Sequence, residues 1–425
     1  MAGSLDGPLL DRTGVLAVLN LVPLVGFPNF AQISDYLGVQ VLGFQAAHSA
    51  IGIVVLMQAI THIATQMQHS TLDLQNHAHF WGLLATIALG LIFVIALFRT
   101  IYYEFVSKVH LLLACFLVVC LWLHFDTESL SSRFLLLLAG AAFVASFSLR
   151  TFQFLWRNLR SGGLGTLNRC RRNEETIKVM VRPGRSWKVQ AGQFVYLWMP
   201  GLSFWSFFQL HPFMIVWWED GLHGKADQLE LLVEIKDGWT NCLARSVSHK
   251  PSVYLDGPYG SPVNFGDYGS VILFATGAGI ASQIPYAKAL IDGYMKLEVR
   301  TRRVILVWRL DREVNEDWVQ SWMQKLLDLD EGSYILKIQL YVLSDFRDEE
   351  AANGKKREYG DHDRIKKFYA SPDISSLLGE ELSRPYGDVM ISVAADGEVR
   401  DKIRHIVHQP SWTNQFLAKE VSNSE

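Results

Sequence analysis

The chain has 425 residues, half of them hydrophobic and only 19% charged, with a net charge of -3 and a mean hydropathy of +0.15. That balance is unusual for a soluble enzyme and points to a membrane protein, while a slightly acidic chain offers no basic field for a nucleic acid. Four cysteines without a C-x-x-C pair suggest neither a zinc site nor a disulfide framework, and Met1 to Arg12 lack the basic-then-apolar order of a cleavable signal peptide.

Apolar runs occupy about 14–27, 41–65, 79–98, 106–125 and 133–149. The last four are long enough, or nearly so, to cross a hydrocarbon core of about 30 Å; the first, interrupted by Asn20 and Pro23, reads as a partial or re-entrant segment. Two of the runs carry histidines at the same spacing. His48 and His62 are fourteen residues apart, and so are His110 and His124. At about 1.5 Å per residue each pair spans about 21 Å, and at about 100° per residue both rings return to within about 40° of one face. Ionisable residues inside a membrane are expensive and by default functional. One helix separates the two histidine-bearing helices, so those two run parallel and their histidines match in depth. Neutral imidazole suits several transition metals, and a cofactor taking one axial ligand from each of two facing helices is haem. The expected sites are His48 with His110 and His62 with His124. His69, His77 and His79 read as solvated loop histidines, with contact to metal at the outer face as the alternative.

Charge sets the expected topology. Arg99 and Lys108 share a basic loop, the last run exits through RTFQFLWRNLR, and the intervening loop DTESLSS is acidic. Positive-inside reasoning puts everything after about residue 150 in the cytosol, with His48 and His110 as the inner pair.

Beyond 150 the pattern changes twice. Residues 176–260 hold short β-type runs bounded by turn signals (TIKVMVRP, GQFVYLWMP, HPFMIVWW, LELLVEIKDG, SVYLDGPYG), as expected of a small antiparallel barrel. From 270 strand and helix alternate, starting with SVILFATGAG and IPYAKALIDGYM and closing with GDVMISVAAD before VRDKIRHIV, as in a doubly wound parallel sheet. Gly277 and Gly279 fall between a buried strand and a helix, where a backbone can approach a pyrophosphate. The polar run 346–367 reads as an exposed insertion or disordered loop.

The order of histidine-paired helices, HPF, GPYG and a glycine-rich turn resembles the ferric-chelate reductase and NADPH oxidase superfamily, nearest to the fungal metalloreductases, from LNLVPL at 19–24 onward. The resemblance implies a multi-domain membrane protein. Its parts are an N-terminal segment 1–13, a transmembrane haem domain 14–151, an antiparallel β-barrel FAD domain 160–265 and a doubly wound α/β NADPH domain 266–425, the last two ferredoxin-NADP reductase-like. It also implies that His211, Pro212 and Phe213 with Gly238 and Thr240 serve FAD, that Gly257, Pro258, Tyr259 and Gly260 form the hinge, and that Gly277, Gly279 and Ile280 hold the NADPH pyrophosphate. Read without the family, HPF is an edge strand with proline and GPYG a plain turn.

The chain departs from the family pattern at Met214, where Thr or Ser is usual, at Ala394, Ala395 and Asp396 of VAADGE, where the family has Cys-Gly-Pro beside the nicotinamide, and in a tail without a terminal aromatic; an inward-pointing Asp396 is electrostatically unwelcome to the NADPH phosphates. Family members generally carry further membrane helices, and often an extracellular leader, ahead of the part present here, so the chain is expected to be a shortened member or an incomplete gene model.

The resemblance implies electron transfer from cytosolic NADPH through FAD and two b-type haems to ferric or cupric chelates at the outer face of the plasma membrane, supporting uptake through a partner such as an iron permease. Two alternatives remain: an oxidase making superoxide, and a non-catalytic haem-binding relative with a decayed nucleotide site.

Overall fold

The computed structural model describes residues 6–27, 30–38, 41–99, 103–125, 130–159, 166–172, 175–221, 224–246, 252–347, 356–359, 364–383, 385–408 and 419–422. The chain divides into two compact units, Met1–Leu155 and Trp156–Glu425.

The first unit is helical. Helix α1 (Asp6–Gly26) and helix α2 (Phe30–Leu37) precede α3 (Val41–His69), α4 (His77–Ala96), α5 (Tyr103–His124) and α6 (Leu130–Asn158). The first run, expected to break at Asn20 and Pro23, is instead continuous within α1; Arg12–Gly26 meets Phe30–Leu37 at 94°, and the four helices that follow are long and apolar enough to cross a membrane. Large apolar side chains such as Leu112, Val119 and Leu138 point outward. A helix apolar all round belongs in lipid or in a core. Small residues let the helices close up where they meet: Ala85 and Ala88 of α4 bury beside Leu117 and Cys120 of α5 and Leu21 and Val55. Asn76 starts α4, its side chain accepting from the amides of Ala78 and His79. The sequence pattern ends the last span near 149, but α6 runs on through the basic stretch to Asn158. Arg and Trp side chains do not break a helix; they only end its apolar run. Residues 126–129 of the acidic loop lie outside the described residues.

The second unit carries two sheets. Strands β1 (Thr166–Arg172), β2 (Thr176–Arg182), β3 (Phe194–Trp198), β4 (His211–Asp220), β5 (Ala226–Glu234) and β6 (Tyr254–Tyr259) form an antiparallel sheet in the order β1-β2-β5-β4-β3-β6. Five of these strands coincide with the runs read from the sequence; β1, polar and arginine-rich, gave no apolar pattern to read. Among the described residues β1 and β6 are unpaired edges, so the sheet is open where the sequence suggests a barrel. Alternation reports which strands exist, whereas closure depends on tilt and stagger that no single strand encodes.

The second sheet is built from β7 (Ser270–Thr276), β8 (Arg303–Arg312), β9 (Leu336–Ser344), β10 (Lys356–Tyr359), β11 (Ile365–Phe368), β12 (Val389–Ala394) and β13 (Lys419–Ser422), in the order β10-β11-β9-β8-β7-β12-β13. All pairings are parallel except β10 with β11. Its helices are α8 (Ile280–Met295), α9 (Gln320–Leu329), α10 (Ile374–Ser383) and α11 (Gly397–Val407). The run 346–367, expected as a loop, therefore contributes strand; its residues 348–355 and 360–363 lie outside the described set. Of the two lysines that disguise β11, Lys367 is paired: its Nζ reaches Glu313 at 2.8 Å and Glu316 at 2.6 Å.

Chain order moves outward from β7 through β8 to β9 and then returns to the other side of β7 with β12. That reversal is a topological switch point, and ligands of doubly wound sheets bind at the carboxyl ends of the strands flanking it. Here those ends are Thr276 and Ala394.

The two sheets are tied through Glu230, fully buried on β5. It takes a hydrogen bond from Trp322 Nε1 at 2.7 Å on α9 and pairs with Lys325 Nζ and Lys178 Nζ, each at 3.0 Å.

Candidate functional site

In the helical unit the four expected histidines come together two by two. The ring centroids of His48 and His110 are 6.2 Å apart, and those of His62 and His124 are 6.4 Å apart. Each pair thus brings two imidazoles from different helices within reach of one small group placed between them. His124 Nδ1 lies 2.7 Å from the carbonyl of Ala78. A carbonyl only accepts, so Nδ1 carries the proton, and Nε2 becomes the acceptor atom of the ring. Glycines let neighbouring backbone approach the outer pair: a Cβ at Gly82 would stand 2.8 Å from His124 Nδ1, and one at Gly14 would stand 3.2 Å from His62. His69, His77 and His79, expected in a loop, instead lie at the end of α3 and in the first turn of α4; His77 Nε2 accepts from Trp81, His79 Nδ1 from the amide of Asp73, and His69 Nδ1 bonds the Thr65 carbonyl. Among the described residues no cluster of three or more His, Cys, Asp or Glu side chains is placed to hold a metal.

In the antiparallel sheet HPF opens β4. Residues 211–214 pair with β3, whereas β5 joins β4 only from Ile215. One edge of HPF is therefore free of sheet partners, and Pro212 costs no ladder bond there. On α7 (Trp239–Arg245) the ring of Trp239 lies 4.5 Å from His211 and stacks 5.8 Å from Phe213. Gly238 enters α7 at φ +87°, a left-handed conformation that favours glycine. The hydroxyl of Thr240 both accepts from the Lys236 amide and donates to the Lys236 carbonyl, each at 2.8 Å. It closes the turn that presents Trp239. Immediately before HPF, Phe204, Trp205, Phe207 and Phe208 form an exposed aromatic run. Met214 is half-buried opposite Phe194, whose ring joins Tyr196 and Tyr259 in an aromatic cluster. Tyr259 belongs to GPYG and donates to Asp256 at 2.6 Å; Gly257 and Gly260 flank it, with φ of +146° and +105°.

At the switch point Gly277 turns at φ +49° and Gly279 leads into α8. No side chain caps α8; the Ile280 amide donates instead to the carbonyls of Gly277 and Ala278. Ile280 is buried and anchors the start of that helix. A Cβ at Gly279 would stand 2.1 Å from the carbonyl oxygen of Ala394, so the glycine turn and the end of β12 touch backbone to backbone. Trp308 Nε1 holds the Gly277 carbonyl at 2.9 Å from the other side. Asp396 is not an uncompensated charge beside this turn. It pairs with Arg309, caps α11 by accepting from the Val399 amide at 3.1 Å, and donates its own amide to Thr276 Oγ1 at 2.9 Å. The electrostatic objection that VAADGE raises in the sequence is met by Arg309.

Sequence reasoning passes over several residues the geometry brings in. Trp239 sits inside KDGWT between the two residues that were singled out, and an aromatic beside a left-handed glycine was the available signal. Gly82 lies inside an apolar helix, where glycine is disfavoured by about 1 kcal/mol, and unlike Gly90 of the same helix it meets a close neighbour, His124. Trp308, Arg309 and Glu230 carried no sequence signal, because their partners lie far along the chain.

A family model described as an FAD-binding domain matches residues 166–263. Among curated proteins the chain is similar to ferric reductase transmembrane component 3 of Saccharomyces cerevisiae, 27% identical over 299 residues, covering 65% of this chain and 39% of that protein. It is also similar to ferric/cupric reductase transmembrane component 1 of Candida albicans, 23% identical over 444 residues, covering 94% of this chain and 55% of that protein. The chain thus spans about half the length of the curated relatives it matches. Among solved structures, the ferredoxin reductase of carbazole 1,9a-dioxygenase aligns at 14% identity and a TM-score of 0.40, over 60% of this chain and 68% of that one.

Proposed function

We propose that this relative of the fungal ferric reductase transmembrane components carries electrons from NADPH across a membrane to ferric or cupric chelates. The observation that carries the reading is the doubled histidine pairing, at 6.2 and 6.4 Å, in a chain whose other half matches an FAD-binding domain. In this reading His48 and His110 hold an inner b-type haem, and His62 and His124 an outer one. The chemistry these groups would supply when bound is, for FAD, the release one at a time of the two electrons of a single hydride and, for haem, one-electron transfer.

The residues on the page have fitting tasks. Ala78 fixes the tautomer of His124, and Gly82 and Gly14 leave room beside the outer rings. Trp239, Phe213 and His211 offer a stacked aromatic wall for a flavin, positioned by Gly238 and by the Thr240 turn. Gly277, Gly279 and Ile280 receive a pyrophosphate at the start of α8, with Trp308 keeping the turn in place. GPYG, with Gly257 and Gly260, joins the flavin part, 160–265, to the nucleotide part, 266–425. In this reading the C-terminal unit is cytosolic, supported by the basic flanks at Arg99, Lys108, Arg150 and Arg157, and the chain is a plasma-membrane protein that hands reduced metal to a permease.

The test is NADPH-driven reduction of the Soret band by the full chain in purified membranes, together with haem counted per chain. Two haems are expected in the wild type and one in His62→Ala/His124→Ala. Two haems retained in that variant, or a Soret band that NADPH leaves unchanged, would overturn the reading.

A further inference from the structure

The four paired histidines are not held alike. His124 and His62 each turn the Nδ1–Cε1 edge of the ring toward a glycine of a neighbouring helix. A Cβ at Gly82 would stand 2.8 Å from His124 Nδ1 and 2.9 Å from its Cε1, and one at Gly14 would stand 3.2 Å from the same two atoms of His62. On α4, Ala78 lies one turn before Gly82 and on the same face, and its carbonyl takes the Nδ1 proton of His124 at 2.7 Å. Ala78 and Gly82 form a clamp. The carbonyl draws the ring edge in, and the missing side chain gives that edge its room. The planes of His62 and His124 stand at 89°.

The surroundings of His48 and His110 differ. Among the described residues neither ring makes a hydrogen bond. His48 instead meets the ring of Phe30 at 5.0 Å, and the two imidazole planes meet at 52°. Arg99 donates at 3.2 Å to Gln45, one turn before His48 on α3.

These differences have an electronic consequence. An imidazole that shares its Nδ1 proton with a carbonyl is more basic at Nε2, and a more basic axial ligand favours the oxidised metal. Hydrogen bonding around the ligands is one of the levers by which a protein sets a haem potential. A cation near the other pair favours the reduced metal there, an effect that solvent weakens but does not reverse.

We propose that the Ala78 carbonyl and Gly82 are positioning groups for His124, and that through them the centre held by His62 and His124 takes the lower midpoint potential of the two. The proposal rests on the haem reading given above. It makes the His62 and His124 centre the stronger reductant.

The experiment is a potentiometric titration of haem absorbance in the full chain with its cofactors, in purified membranes, with electron paramagnetic resonance of the oxidised sample. The wild type is expected to titrate in two steps, and His62→Ala/His124→Ala to lose the lower one. Gly82→Ala forces the ring off its carbonyl. It should keep both haems and raise the lower potential by about 59 mV, a tenfold change in a one-electron equilibrium, while the upper step stays in place. The same variant should alter the resonance signal that His62→Ala/His124→Ala removes and no other. A single step in the wild type, loss of the upper step in the histidine variant, or a Gly82→Ala shift that is absent or confined to the upper step overturns the proposal. If Gly82→Ala sheds a haem instead, the wild-type order decides alone: the lower step lost with His62 and His124 supports the proposal, and the upper step lost with them overturns it. Two haems retained by His62→Ala/His124→Ala is a separate failure, which removes the haem assignment and the proposal with it.

Discussion

The α-carbon of Gly279 faces the carbonyl oxygen of Ala394 so closely that a methyl group on it would stand 2.1 Å away. The residue that leads into α8 and the residue that ends β12 are separated by more than a hundred positions in sequence, yet Gly279 has no room for a side chain against that carbonyl. This contact closes the floor of the switch point. Gly279→Ala must push β12 or the turn outward, and overpacking of this kind costs about 1–3 kcal/mol. Gly277 has open space around its missing Cβ and only a left-handed φ to satisfy. Gly279→Ala is therefore expected to weaken dinucleotide binding, measured by titration of flavin fluorescence, more than Gly277→Ala does; the reverse order would show that the close approach is not part of the nucleotide site.

Trp239 leads to the second prediction. Its ring spans His211 and Phe213, so Trp239→Leu should lower the flavin-to-protein ratio severalfold, about as much as His211→Ala, whereas Thr240→Val should act only through the turn. A Thr240→Val variant with less flavin than Trp239→Leu would mean that the hydroxyl and not the ring addresses FAD.

How far the sequence led can be judged at these same residues. The paired histidines were legible because a helix has a fixed period, and equal spacing on two runs translates directly into equal depth. Gly277 and Gly279 were legible because a strand-to-helix turn leaves a local mark. Trp239 was hidden in plain view: its role depends on the HPF edge that β5 leaves uncovered, and strand lengths relative to one another are not written in either strand. Strand β11 was read as a loop because Lys366 and Lys367 look like solvent-facing charge, and only the fold supplies Glu313 and Glu316 as partners of Lys367. The barrel expected from five β-type runs proves to be an open sheet for the same reason, since edges are a property of the whole arrangement. Asp396 looked damaging in isolation and is paired once Arg309 arrives from β8.

Glu230 leads to a prediction about pH. Burial pushes its carboxyl up, but the charge of Lys178 and hydrogen bonds from Lys325, Lys178 and Trp322 outweigh burial and hold it below the ordinary carboxylate range. A depressed folded-state value means stability that is present above the ordinary carboxylate range and is lost as pH falls through the folded value. Glu230→Gln leaves Lys178 and Lys325 without their shared counter-charge, and because both lysines are partly exposed the expected loss near neutral pH is about 2 kcal/mol. Thermal unfolding of the full chain should show a gap between wild type and variant that narrows as the solution is acidified. A gap that stays constant with pH would remove the ionised carboxylate from the account of how the two sheets are held together.

The last prediction concerns the strand end where the resemblance leads one to expect a cysteine. Restoring the whole family pattern there, Cys-Gly-Pro, would be self-defeating in this chain. Asp396→Pro removes the backbone N–H that bonds Thr276, the carboxylate that caps α11 and the partner of Arg309 in one step, and loss of the cap alone costs about 1 kcal/mol. Ala394→Cys asks for less. Ala394 is buried at the carboxyl end of β12, beside Gly279, and a thiol adds one heavy atom without touching the Asp396 bonds. If nicotinamide lies over the flavin at this strand end, Ala394→Cys should raise the rate of flavin reduction at saturating NADPH while leaving NADPH affinity nearly unchanged, because positioning of the reacting groups affects rate far more than binding. Ala394→Cys/Asp396→Pro should lose that gain together with thermal stability. Stopped-flow reduction read beside equilibrium binding separates the two effects. A rate that does not move in Ala394→Cys, with affinity and melting temperature also unchanged, would mean that hydride transfer is not limited at the end of β12.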